Sequence, residues 1–167
     1  MKIAREGSVT EYITDALLLL MKKVPYNEIS VTALCDKAGV TRMSFYRNFD
    51  TKEDVLEAWI SSITEDFLRD SKISYKNDSP RLYFTKLFTH MKKHADICLA
   101  IYNAGLIYLV KDEFDHIFLT LHKDEYDEYK SYFLAGGIYN IFLLWLIHGC
   151  KESPEQLASK LDNILER

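Results

Sequence analysis

ISVTALCDKAGVTRMSFYRNFDTK, residues Ile29 to Lys52, decides how the rest of the chain is read. Leu34, Ala38 and Val40 recur at spacings that close one helix onto another. Gly39 can take the left-handed backbone that ends a helix abruptly. Thr41 is a good N-cap for the next helix, which the spacing predicts from about Thr41 to Phe49. Phe45 and Phe49, at i and i+4, form its buried stripe, while Arg42, Ser44, Tyr46, Arg47 and Asn48 point outward. A helix anchored by phenylalanines and offering donors outward has the chemistry of a DNA reader.

Outward from this stretch the pattern stays helical. Strand-like alternation does not persist anywhere, and the chain holds only 6 Gly and 3 Pro in 167 residues, which favours long helices with few breaks. The fold class is predicted to be all-α, with about nine helices. The first runs from about Ser8 to Lys23, burying Val9, Ile13, Ala16, Leu17 and Leu20, and Pro25 enforces its stop. The second spans Val31 to Ala38. A fourth opens with Asp50 three residues before Glu53, a capping-box spacing, and continues through Val55, Trp59, Ile63 and Phe67.

SKISYKNDSP, residues 71–80, reads as the first long loop. Ser79 and Pro80 start a fifth helix that turns Phe84, Leu87, Phe88 and Met91 inward. A short sixth helix contains Ile97, Leu99, Ala100 and Ile101. Gly105 marks a break before a seventh, from about Leu106 to Leu121. After KDEYDEYK comes the most apolar segment, YFLAGGIYNIFLLWLIHG, residues 132–149. Ser153, Pro154 and Gln156 then cap a last helix striped by Leu157, Leu161, Ile164 and Leu165. Two successive helices with excess apolar surface predict a dimer interface through Ile138, Phe142, Trp145, Leu146, Leu157, Leu161 and Ile164. The same residues would alternatively complete a monomer core.

Composition narrows the function classes. At 48% apolar and 28% charged residues the chain is globular rather than disordered. Residues 1–52 carry 8 Lys/Arg against 6 Asp/Glu, leaving 13 against 19 of the totals of 21 and 25 for the remainder. The basic excess therefore sits with the reader. Cys35, Cys98 and Cys150 are widely separated and lack CxxC spacing, as expected of reduced thiols in a cytoplasmic protein. The N-terminus lacks a signal-peptide apolar core, and the apolar run Tyr132 to Ile147 falls short of the roughly 20 residues that span a membrane.

Other chemistries find little support. His90 and His94 share a helical face, but Met91 stands where an HExxH motif needs glutamate, and Lys92 and Lys93 disfavour a cation, so no metal site is expected. His116, His122 and His148 stand alone. Asp124, Glu125, Asp127 and Glu128 read as a solvated helix start. The absence of a glycine-rich phosphate loop, a GxSxG elbow and paired carboxylates argues against an enzyme, and no cofactor is expected.

AGV, then SFYRNF, then TKED, from Ala38 to Asp54, resembles the TetR/AcrR family of bacterial transcriptional regulators. Tyr46, Phe49 and Lys52 stand three residues apart, as that family spaces them. The resemblance implies a helix-turn-helix domain over residues 1–52 and a regulatory and dimerisation domain over 53–167. It also implies that Tyr46 and Lys52 hold phosphates, that Thr32 makes another backbone contact, and that Arg42, Met43 and Ser44 meet base edges. Thr41, Arg47 and Asn48 complete the expected DNA-facing set. Arginine pairs bidentately with guanine, whereas Met43 offers apolar contact to a thymine methyl.

The sequence departs from the family pattern at Cys35, at Met43, where a small residue is common, and in VPYNEIS, which lacks a frequent glycine. The function implied is a homodimeric repressor on a near-palindromic operator in double-stranded DNA, released by a small apolar or aromatic effector. Phe84, Phe88, Met91, Tyr102, Phe118, Phe133 and Tyr139 are the candidate cavity lining, although aromatics at helical spacing are more often core than cavity. The alternative is a protein-interaction module of the same fold, gated by a protein partner.

Overall fold

The computed structural model describes residues 8–71, 79–121 and 127–165. Among them the fold is entirely helical: α1 (Val9–Met21), α2 (Val31–Ala38), α3 (Arg42–Tyr46), α4 (Lys52–Ser71), α5 (Pro80–Lys92), α6 (Ala95–Asn103), α7 (Tyr108–Asp115), α8 (Glu128–Ile147) and α9 (Pro154–Leu165). A 3₁₀ turn, Tyr26–Glu28, follows α1. A π-helical segment, His116–Leu121, prolongs α7. Most of the expected loop at 71–80, together with His122, Asp124 and Glu125, lies outside the described residues.

Helix starts follow their caps. The Ser8 hydroxyl accepts from the Glu11 amide and the Glu11 carboxylate accepts from the Ser8 amide, closing the box that satisfies two otherwise orphaned donors. Ser79 accepts from the Leu82 amide ahead of Pro80. Ser153 and Gln156 exchange the reciprocal pair at α9. The box at α4 is one residue later than expected. Thr51 and Asp54 form it, with the Asp54 carboxylate accepting from both the Thr51 amide and hydroxyl. Those bonds from Thr51, chiefly the hydroxyl, pull the Asp54 pKa down. On α1, Ile13, Ala16, Leu17 and Met21 are buried, whereas Val9 is exposed and Leu20 half-buried.

The chain forms two compact units, Met1–Ser61 and Ser62–Arg167. The division falls inside α4 rather than at its start, because Val55, Leu56, Trp59 and Ile60 are buried and belong with the first unit. In that unit α1 packs on α2 and α2 on α3. Within the second unit α5 packs on α9, while α6 and α7 pack on α8. Gly149 and Cys150 both take positive φ, 75° and 50°. The Cys150 amide reaches back to the Trp145 carbonyl and ends α8.

α8 is long and apolar enough to cross a membrane by length and composition alone, since it extends beyond the apolar run through Glu128–Ser131. Its packing is that of a core helix, with Leu134, Ala135, Ile138, Tyr139, Phe142, Trp145 and Leu146 buried. Six residues expected at a dimer interface, Ile138, Phe142, Trp145, Leu146, Leu157 and Leu161, are instead buried in the chain's own core, none more than 5% exposed. Ile164 does face solvent. A helix apolar all round carries no local mark of which side its own chain will cover.

The residues expected to line a cavity differ in exposure. Phe84, Phe88 and Phe118 are fully buried, with Phe84 against Phe88 and Phe88 edge-on to Trp145. Tyr139 packs on Phe114, and Met91 is half-buried. Tyr102 and Phe133 are exposed.

Candidate nucleic-acid interface

The reader is built by local rules. Ser30 caps α2 by accepting from the Ala33 amide, which leaves Thr32 exposed on the first turn. Gly39 ends α2 at φ 71° and ψ 33°, a backbone that costs a side-chain-bearing residue about 1–2 kcal/mol. The chain turns there, and Thr41 caps α3 through the Ser44 amide at 3.1 Å. α3 is short, but the amides of Asn48 and Phe49 both reach the Phe45 carbonyl and carry the turn onward to Phe49.

Phe45 is fully buried, 6.1 Å from the Phe49 ring and edge-on to Tyr46 at 5.2 Å. These contacts fix the rotation of α3, so Thr41, Arg42, Met43, Tyr46, Arg47 and Asn48 are exposed and Ser44 is half-buried. The exposed side chains hold one another. The Arg42 guanidinium lies 5.9 Å from the Tyr46 ring centre, Arg47 donates to the Met43 sulfur at 3.5 Å, and the Asn48 amide donates to the Ser44 carbonyl at 2.7 Å. Two guanidiniums and a phenol on one face can meet phosphate oxygens and guanine edges.

Lys52 stands apart from that face's chemistry. Its ammonium donates to the carbonyls of Ile29 at 2.6 Å and Tyr26 at 3.1 Å, and it lies 4.1 Å from the Tyr26 ring centre. Burial lowers its pKa. Two of its three donors are thus spent tying the start of α4 to the turn before α2. Lys52→Met keeps the stem and removes the donors. It is expected to destabilise the first unit by about 2–3 kcal/mol, the scale of a hydrogen bond to a charged group. Urea unfolding followed by circular dichroism measures this, and a fall in DNA affinity with unchanged stability would return Lys52 to a plain phosphate contact.

Tyr26, Ser30, Thr51 and Asp54 were missed as supports of the reader. Thr51 to Asp54 has the spacing that signals a cap, whereas nothing local links Tyr26 to Lys52. His90 and His94 lie with ring centres 5.2 Å apart on one face. Burial pushes both pKa values down. No group of three or more metal-ligating side chains occurs among the described residues.

Residues 13–59 fit the model of bacterial regulatory proteins of the tetR family. Residues 78–167, more than half of the chain, fit a transcriptional regulator C-terminal region. The chain is 24% identical over 172 residues to the uncharacterized HTH-type transcriptional regulator YxbF of Bacillus subtilis (strain 168), covering 92% of this chain but 44% of that relative. It therefore spans less than half the length of the curated relative it matches.

Two solved structures share the fold. The fatty acid degradation regulator FadR from Bacillus halodurans superposes with a TM-score of 0.66 at 18% identity, over 96% of each chain. The dihydroxyacetone kinase operon activator DhaS superposes at 0.58 with 22% identity, over 94% of this chain and 93% of that one. With a reading unit and a C-terminal region that both match, the chain belongs to the tetR family of bacterial transcriptional regulators.

Proposed function

We propose that this chain represses transcription as a homodimer that places two α3 helices in successive major grooves of a near-palindromic operator. The half-sites of such an operator lie about one helical turn, or a multiple, apart. The observation that carries this reading is the outer face of α3, where Arg42, Met43, Tyr46 and Arg47 are exposed above the buried Phe45 and Phe49. Tyr46 and the arginines position the unit on phosphates and read guanine. Selection of bound sequences from random duplex DNA at fixed salt tests it, because affinity without stated salt has no meaning. Enrichment of a two-fold motif is expected, and recovery of no motif would remove the reading.

The dimer in this proposal uses the outer side of α8. Tyr129, Phe133, Asn140, Leu144 and Ile147 are exposed along one side of α8, with the half-buried Gly136 between Phe133 and Asn140, at steps of three or four residues. A Cβ added at Gly136 or Gly137 would meet nothing within 4 Å, so the protomer leaves that strip free for close approach by a second helix. Gly136→Leu is expected to preserve the protomer, and to raise its helix propensity by up to about 1 kcal/mol. It should also shift sedimentation from dimer to monomer and lower operator affinity by at least about tenfold. A variant that still sediments as a dimer would place the interface elsewhere.

Gating in this reading passes through α4, whose residues divide between the two units. A partner or apolar effector among α5 to α8 would displace its second half and so change the spacing of the two reading helices. Such an effector would have to open the packed Phe84, Phe88 and Trp145 cluster.

A further inference from the structure

We infer that Met43 senses the C5 methyl group of pyrimidines in the major groove, so that the chain distinguishes thymine from uracil and 5-methylcytosine from cytosine. This rests on the DNA-reading role proposed above and names what one residue reads. Scattered exposed apolar side chains are ordinary on protein surfaces, but Met43 is not scattered. It is 66% exposed in the middle of the donor-bearing face, with Arg42 and Tyr46 exposed beside it. Arg47, one turn on, donates to its sulfur at 3.5 Å, so the thioether lies along the exposed face beside that guanidinium.

The remaining surface of that side chain is methyl and methylene, with no donor or acceptor to offer a base edge. In the major groove the matching apolar feature is the C5 methyl of thymine, and 5-methylcytosine presents the same group at the same ring position. Contact between the two removes apolar area from water on both sides. One buried methyl is worth about 0.8 kcal/mol, or about a fourfold change in affinity. The neighbouring guanidiniums favour guanine, so the expected half-site sets a methylated pyrimidine next to a guanine.

The test uses the full chain and the duplex recovered by selection, with thymines replaced by uracil one two-fold-related pair at a time. Uracil differs from thymine only by the lost methyl. One pair of positions is expected to lower affinity about fourfold per half-site. At that position cytosine should bind more weakly than 5-methylcytosine by a similar factor. Met43→Ala should abolish the dependence, and Met43→Leu, which keeps an apolar tip, should retain it. Sequence-specific binding with a flat uracil scan overturns the inference and leaves the regulatory reading standing. A uracil effect that survives in Met43→Ala also overturns it, by assigning the methyl contact to another side chain. Failure to recover any specific duplex overturns both.

Discussion

Phe45→Ala is expected to abolish operator binding by unfolding the reading unit while the second unit stays folded. The ring is fully buried and touches Phe49 and Tyr46. Truncating a buried phenylalanine costs about 3–5 kcal/mol, part of it lost transfer free energy and part the cavity left behind. A unit of about 60 residues holds little more stability than that, because so small a core buries a modest share of its surface.

The loss should show in hydrogen exchange, with α1 to α3 amides losing protection and α5, α8 and α9 amides keeping theirs. Phe45→Leu, which refills most of the space, should bind DNA at reduced stability. If Phe45→Ala kept full protection in α1 to α3, the ring would not be the anchor that sets the rotation of α3.

The second large effect belongs to Trp145. The indole is 2% exposed, edge-on to Phe88 at 5.7 Å, and its Nε1–H donates to the Glu152 carbonyl at 3.1 Å. It therefore fills the core beneath α8 and also ties down the connection that leads into α9. Trp145→Ala is expected to cost the second unit about 3–5 kcal/mol from the cavity.

Trp145→Phe, which retains an aromatic ring but not the donor, should cost about 1–3 kcal/mol, the price of a carbonyl left unpaired. Urea unfolding followed by circular dichroism gives both values. The chain has 2 tryptophans, so in either variant the remaining fluorescence comes from Trp59, in the first unit. An unchanged midpoint for Trp145→Ala would mean that α8 is held by other contacts.

Those two side chains differ in how legible they were. Phe45 could be placed inward from sequence, since its i+4 partner Phe49, the cap at Thr41 and the stop at Gly39 all lie within a few residues. The sequence pattern around Trp145 fits a partner interface or a monomer core, and the structure places the indole in the chain's own core. Lys52 shows the same limit. Its donors close on carbonyls of Tyr26 and Ile29, groups more than twenty residues away whose side chains give no sign of the contact.

The amino-acid sequence by itself determined the helix starts at Ser8, Ser79 and Ser153, the break at Gly39, the all-helical class and the outward face of α3. Each of these rests on interactions within one or two turns, which cap chemistry and a 3.6-residue period describe fully. Only the tertiary structure decided which side of α8 is core, that Phe84, Phe88 and Trp145 pack on one another, that Lys52 is a tie rather than a free cation, and that the units divide within α4. Those outcomes depend on which surfaces meet across long stretches of chain. An apolar side chain is satisfied by any apolar neighbour, so its identity does not name the partner.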